Sequence, residues 1–154
     1  MRKPISTKGH GFLDYMTAGL LVTLPRALGW SDGVTRLLDA SAATTVVYSL
    51  LTRYELGVVK ALPMKAHLAI DAVQAGALIG ASAFLEDEDP EVRATLATLG
   101  VFELGVTALS RTEQDPPAIE RAFEAPSASM PTAGYPEVGV PLDRRQDERR
   151  FVAM

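Results

Sequence analysis

The sequence contains no cysteine. This absence excludes disulfide bonds, thiolate metal ligands and a nucleophilic thiol. The chain also lacks an excess of basic residues, since its formal net charge is −4 at pH 7, which argues against nucleic acid as a partner. Hydrophobic residues, in contrast, make up 47% of its 154 positions, although the C-terminal part is polar and rich in proline. The apolar residues are therefore concentrated upstream of that part.

Four apolar segments follow one another before the polar C-terminal part. Each is about 20 residues long, which at a rise of about 1.5 Å per residue matches a hydrocarbon core of about 30 Å. None has the broad polar face that a soluble amphipathic helix needs. The sequence therefore predicts an all-α fold, a bundle of four transmembrane helices, with a water-soluble four-helix bundle as the alternative. The segments are residues 11–30, 34–52, 66–85 and 92–110.

Two histidines begin the first and third segments in the same way. His10 is followed by Asp14, and His67 by Asp71, so that 57 residues separate the corresponding positions. A repeat at a fixed spacing predicts two copies of one structural unit. We therefore expect two duplicated helical hairpins, covering about residues 10–56 and 67–113, within a transmembrane domain of residues 1–111.

Small residues recur along the third segment. Ala72, Gly76 and Gly80 follow one another at intervals of four positions, which places them on one face of a helix. In membranes such faces allow the backbone of another helix to approach closely. The pattern predicts a helix-packing surface.

The distribution of charge indicates an orientation. Basic residues precede the first segment, lie between the second and third, and follow the fourth, whereas the turn at residues 86–91 is acidic. Because cytoplasmic loops carry an excess of Lys and Arg, this pattern predicts a multi-pass protein with both termini in the cytoplasm.

Three motifs lie at the ends of the predicted hairpins: residues 4–15 (PISTKGHGFLDY), 48–57 (YSLLTRYELG) and 63–71 (PMKAHLAID). On the basis of these three motifs, residues 4–111 resemble the bacterial SPW-repeat membrane proteins. The Ser-Pro-Trp signature itself is replaced by LPR in one repeat and by ASA in the other. The resemblance implies a small integral protein of the bacterial inner membrane, built from a duplicated two-helix unit and without an established enzymatic activity.

The two His/Asp pairs are the strongest candidates in the sequence for ligand binding or proton transfer. Their spacing places His10 with Asp14, and His67 with Asp71, on one helix face. In a structural interpretation, the acids hydrogen-bond the histidines or the facing repeat and tie the two hairpins together. The alternatives are a haem or pigment bound by His10 and His67, a divalent-metal site, or a proton relay. We expect the structural role, with no cofactor, no metal and no catalytic residue.

Two further acids lie inside the predicted helices and have no counterpart in the other repeat. Asp39 follows Arg36 by three positions, which offers it a local ion pair. Glu103 has no cation nearby in the sequence. Because an unpaired charge within a membrane is costly, Glu103 is the best single candidate for a protonatable or partner-facing group.

The composition changes at the C-terminal side of the fourth segment. Residues 112–154 form a Pro-rich cytoplasmic tail in which residues 118–125 could form a short helix. We expect a noncatalytic structural or accessory subunit in the lipid bilayer that packs its helices and tail against a larger respiratory or photosynthetic membrane complex. The alternatives are a haem- or pigment-binding redox protein and a transporter of small solutes or ions that uses Glu103 and the His/Asp pairs.

Overall fold

The computed structural model describes residues 3–115, and this part of the chain folds into four α-helices. Within residues 3–115 the only β-structure consists of isolated bridges. The prediction of an all-helical fold with four helices is therefore confirmed. The tail beyond residue 115, with its expected helix at 118–125, lies outside the described residues. The helices are α1 (Thr7–Leu28), α2 (Asp32–Leu51), α3 (Met64–Phe84) and α4 (Pro90–Leu109).

The ends of α1 and the start of α2 follow from local hydrogen bonding. Ser6 caps α1 by accepting a hydrogen bond from the amide of Gly9 at 3.0 Å, so the helix begins before the apolar run does. α1 ends at Gly29, whose φ of 65° is in the left-handed region that favours glycine. Ser31 caps α2 in the same way as Ser6 caps α1. The second helix therefore begins at Asp32, two residues earlier than its apolar segment.

The helices pack as two hairpins, α1 against α2 and α3 against α4. The two helices of the second hairpin approach closely at Gly100, where a Cβ atom would lie 2.6 Å from the carbonyl oxygen of Ala75. Around Gly76 and Gly80, in contrast, no described atom lies within 4 Å of such a Cβ. Their face of α3 is thus not used for packing within residues 3–115. The main apolar core lies towards the hairpin turns and consists of Ala18, Leu21, Val34, Leu38, Ala42, Leu78, Val92 and Leu96.

Two of the four helices, α3 and α4, are long and apolar enough to cross a membrane. The charged residues Asp14 and Arg26 in α1, and Arg36 and Asp39 in α2, lower the mean hydropathy of those helices. By length and composition the described residues therefore provide two such helices, where the sequence analysis expects four. Only 28% of the apolar span of α3 and 17% of that of α4 are buried within the described part of the chain, so most residues of these spans are half-buried or exposed.

Candidate functional site

The two His/Asp pairs form one buried cluster. His10 and Asp14 come from α1, and His67 and Asp71 come from α3, near the N-terminal end of each helix. Their exposed fractions are 1%, 7%, 0% and 2%, respectively. The structure thus brings together all four residues that the sequence analysis singles out as pairs, and it encloses them between the two hairpins.

The inner nitrogen atoms of the two histidines are the centre of the cluster. Nε2 of His10 lies 3.0 Å from Nε2 of His67, 3.0 Å from Oδ2 of Asp71 and 3.3 Å from Oδ1 of Asp14. Nε2 of His67 lies 3.2 Å from Oδ2 of Asp14 and 3.4 Å from Oδ2 of Asp71. Each histidine therefore contacts the acid of its own helix and the acid of the other hairpin.

The outer nitrogen of each histidine contacts a hydroxyl group at the end of a neighbouring helix. Nδ1 of His67 lies 2.8 Å from Oγ1 of Thr52, and Nδ1 of His10 lies 2.7 Å from Oγ of Ser110. Both hydroxyls also donate to the carbonyl four residues earlier in their helices, at 2.6 and 2.7 Å. Because a hydroxyl has one hydrogen, its oxygen must accept from the histidine. This network assigns the ring hydrogen to Nδ1 in both histidines.

Each carboxylate of the cluster is also held by a hydroxyl of α2. The phenol of Tyr48 donates to Oδ1 of Asp71 at 2.6 Å, and the hydroxyl of Ser49 donates to Oδ2 of Asp14 at 3.0 Å. Hydrogen bonds to ionised carboxylates are stronger than neutral ones and fix the side-chain orientation. The α2 helix therefore positions both acids.

Tyr54 closes the cluster on the side of the linker between α2 and α3. Its hydroxyl lies 3.5 Å from Oδ2 of Asp14, and its ring packs directly on Gly11, where a Cβ atom would lie 2.0 Å from the ring. Burial raises the pKa of the Tyr54 phenol, and the charge of Asp14 raises it further. The phenol therefore keeps its proton over the physiological range, and only a glycine at position 11 leaves room for it.

A small cavity of about 20 Å³ adjoins the cluster, and its volume is enough for about one water molecule. Glu103 lies at this cavity, where its Oε1 accepts a hydrogen bond from Gln74 at 3.3 Å. Oε2 of Glu103 and Oγ1 of Thr107 are buried without a hydrogen-bond partner among residues 3–115. Buried polar atoms of this kind call for an explanation such as a water or an ion. The cavity is lined by His10, Leu13, Asp14, Thr17, Thr45, Asp71, Phe102, Glu103, Val106 and Thr107.

Asp39 lies away from the cluster. Its carboxylate forms two hydrogen bonds of 2.7 Å with the guanidinium of Arg26, and the two side chains are 36% and 51% exposed. The partner is therefore an arginine of α1 and not Arg36, which precedes Asp39 in its own helix. The pair joins α1 to α2 at the surface.

The hydroxyl groups that support the cluster are not predicted from the sequence, where residues 48–57 stand out only as a motif. They belong to Tyr48, Ser49 and Thr52 at the end of α2 and to Ser110 at the end of α4. A usable signal does exist, because Tyr48 and Ser49 precede Thr52 by four and three positions, which makes each of them its neighbour on the helix surface. Such groups must find polar partners inside the protein.

Comparison with models of protein families, with curated proteins and with solved structures gives no match for this chain. Its class is therefore defined by fold and site alone. Residues 3–115 form a four-helix bundle that buries a His/Asp cluster, and two of its helices could cross a membrane.

Proposed function

We propose that the chain is a noncatalytic integral membrane protein that crosses the bilayer four times and serves as a structural or accessory subunit. The observation that carries the proposal is the distribution of polarity, since the charged groups of the cluster are buried while large apolar side chains face outward. Phe12, Met16 and Phe84 are 60%, 58% and 87% exposed. In water this arrangement is unfavourable, but in a bilayer it is the expected one.

Three of the four charges that lower the mean hydropathy of α1 and α2, those of Asp14, Arg26 and Asp39, have partners that make them compatible with four membrane spans. Asp14 is enclosed in the cluster, where it contacts both histidines. Arg26 and Asp39 pair with each other across the two helices, and Arg26 is close to the end of α1, from which a long side chain can reach the interface. Each of these charges therefore has a partner that reduces the cost of its position.

Contacts between corresponding residues support an origin by duplication. His10 contacts His67, and the hydroxyl of Ser31 donates to Glu88 at 2.5 Å, in both cases across 57 positions. In a two-fold arrangement, residues on the axis meet their own counterparts. The two hairpins thus pair as two copies of one unit would, at both ends of the bundle. The same features support our proposal that the chain is related to the SPW-repeat proteins.

The enclosure of the cluster favours a noncatalytic role. His10 and His67 are almost completely buried, and the cavity beside them is the size of about one water molecule. A haem iron held between the two histidines would separate their Nε2 atoms by about 4 Å, twice a metal–nitrogen bond of about 2 Å. The observed separation is 3.0 Å. The packing therefore favours an accessory protein over a haem- or pigment-binding one.

The outer face of α3 supports the accessory role. A Cβ atom added at Gly76 or Gly80 would meet no atom within 4 Å beyond the chain neighbours and backbone of α3 itself, so no other described helix packs closely there. A partner helix can approach such a face closely, and close packing is the main source of helix association in membranes. We propose that this face, together with the C-terminal tail, packs against a larger complex.

The test is extraction of the tagged full-length chain from its native membrane in a gentle detergent, followed by mass spectrometry. We expect a larger complex to co-purify in constant proportion. The variant Gly76→Leu should lose the complex, because a large side chain blocks the close approach. Gly19→Leu, at an exposed glycine of α1 where nothing lies within 4 Å of an added Cβ atom, is the matched control and should retain it. Recovery of the unmodified chain without partners contradicts the accessory role.

A further inference from the structure

We propose that the cluster binds one divalent transition-metal ion of the zinc class. The ligands are Nε2 of His10, Nε2 of His67 and one carboxylate oxygen each of Asp14 and Asp71. The proposal rests on the geometry of the bundle and not on the accessory role, so it holds whether or not the protein has a partner complex.

The distances among the four ligand atoms fit a single small ion. All four atoms lie within 4.8 Å of one another, and each Nε2 atom lies 3.0 to 3.4 Å from the other Nε2 and from the carboxylates. With metal–ligand bonds of about 2.0 to 2.1 Å, ligand atoms at the corners of a tetrahedron are about 3.3 to 3.4 Å apart. These nitrogen–nitrogen and nitrogen–oxygen distances are therefore close to those of a tetrahedral site, and ligand atoms that lie further apart, up to 4.8 Å, would have to move closer together around the ion.

The hydrogen-bond network turns the lone pairs of both histidines inward. Thr52 and Ser110 accept the Nδ1 hydrogens, as their own hydrogens are donated to backbone carbonyls. In a neutral imidazole the other nitrogen is then an acceptor. When both imidazoles are neutral, two Nε2 lone pairs and two carboxylates face one another at hydrogen-bonding distance without a donor between them. Four acceptors at such distances repel unless a cation lies among them.

Hydrogen bonds from α2 orient the two carboxylates towards the same ion. Tyr48 holds Oδ1 of Asp71 in place, which leaves Oδ2 of Asp71 to face the histidines. Ser49 holds Oδ2 of Asp14, and the two oxygens of Asp14 face one histidine each. Metal ligands are usually oriented by such outer hydrogen bonds. Two carboxylates and two neutral imidazoles carry a charge of −2, so a divalent ion makes the buried site neutral.

The donor set selects the class of metal. Two imidazole nitrogens and two carboxylate oxygens suit Zn²⁺, which is commonly four-coordinate. Ca²⁺ and Mg²⁺ take six or more oxygen ligands or keep several waters, for which the adjoining cavity of about 20 Å³ is too small. The bound ion would hold α1 and α3 together and so join the two hairpins.

The test uses the full-length chain in detergent, stripped with a chelator and then titrated with Zn²⁺ or Co²⁺. We expect one equivalent to bind, and Co²⁺ should give the intense visible absorption of a tetrahedral site. Thr52→Val and Ser110→Ala keep all four ligands but remove the acceptors for the Nδ1 hydrogens. We expect each to weaken metal binding by about 10- to 100-fold. Asp39→Asn, at the surface pair, is the control and should bind like the unmodified protein.

Two results would overturn the proposal. One is a helical, monodisperse wild-type protein that binds neither Zn²⁺ nor Co²⁺ in one equivalent, which would mean that protons alone hold the cluster together. The other is binding that is equally strong in Thr52→Val, Ser110→Ala and the control, which would place the ion elsewhere. Neither result affects the co-purification experiment, so failure of the metal site and failure of the accessory role are distinguishable.

Discussion

Nε2 of His10 and Nε2 of His67 lie 3.0 Å apart, although 57 residues separate them in the chain. Their helices belong to different hairpins, and Asp14 and Asp71 contact both rings. The cluster is therefore a buried polar connection between two hairpins that also meet in an apolar core and through the hydrogen bond of Ser31 with Glu88. Stability of the bundle should depend on it strongly.

Replacement of Asp71 by asparagine should destabilise the bundle. The variant keeps the shape of the side chain but removes the negative charge that compensates the proton or cation held between the two histidines, and loss of one partner from a buried charged group costs about 3 to 5 kcal/mol. The free energy of unfolding, measured by denaturant titration in detergent, checks this. Asp39→Asn serves as the control and should have a small effect, because its pair with Arg26 is at the surface. Equal effects of the two substitutions would contradict the central role of the cluster.

The phenol hydroxyl of Tyr48 should contribute more to the free energy of unfolding than that of Tyr15. Tyr48 is buried and donates to Oδ1 of Asp71 at 2.6 Å, and hydrogen bonds to charged groups contribute about 1.5 to 3 kcal/mol. Tyr15 donates to the carbonyl of Leu56 at 3.3 Å from a half-buried position, so Tyr15→Phe should cost at most about 1 kcal/mol. Unfolding of Tyr48→Phe and Tyr15→Phe, compared in one detergent, tests the order. A larger loss in Tyr15→Phe contradicts it.

The four helices could be predicted from the sequence because each apolar segment is long and is bounded by turn residues. Their exact ends could not, since the N-terminal boundary of α1 depends on the side chain of Ser6 and that of α2 on Ser31. The number of membrane-spanning helices is not settled by length alone either. Asp14 and Arg26 lower the mean hydropathy of α1, and the energetic cost of both depends on tertiary partners that a sequence does not display.

The candidate site could be predicted in part. The spacing of four places His10 with Asp14 and His67 with Asp71, and the repeat indicates that the two pairs are equivalent. The spacing does not show how the two hairpins pack against each other, and the contact of His10 with Asp71 depends on that packing. For the same reason, the partner of Asp39 was expected within its own helix, whereas the bidentate pair is with Arg26.

Gly11→Ala should destabilise the bundle, because an added Cβ atom at position 11 would lie 2.0 Å from the ring of Tyr54. Overpacking of this kind costs about 1 to 3 kcal/mol. Gly19 is the matched control in the same helix, since nothing lies within 4 Å of its Cβ position. Gly19→Ala should be neutral or slightly stabilising, as alanine favours helix over glycine by about 1 kcal/mol. Thermal unfolding of both variants tests the contrast, and a stable Gly11→Ala protein would contradict the packing of Tyr54 on α1.

The proposed topology can be tested by labelling, because the natural chain has no cysteine and a single introduced thiol reports one position. Asp87 lies in the turn between α3 and α4, and Val59 lies in the linker between α2 and α3, where it is 58% exposed. With four spans and basic segments in the cytoplasm, Asp87→Cys should react with a membrane-impermeant maleimide from the periplasmic side of intact cells. Val59→Cys should react only after the inner membrane is opened. Reaction of both thiols in intact cells, or of neither, would contradict the assignment of α3 as a membrane span.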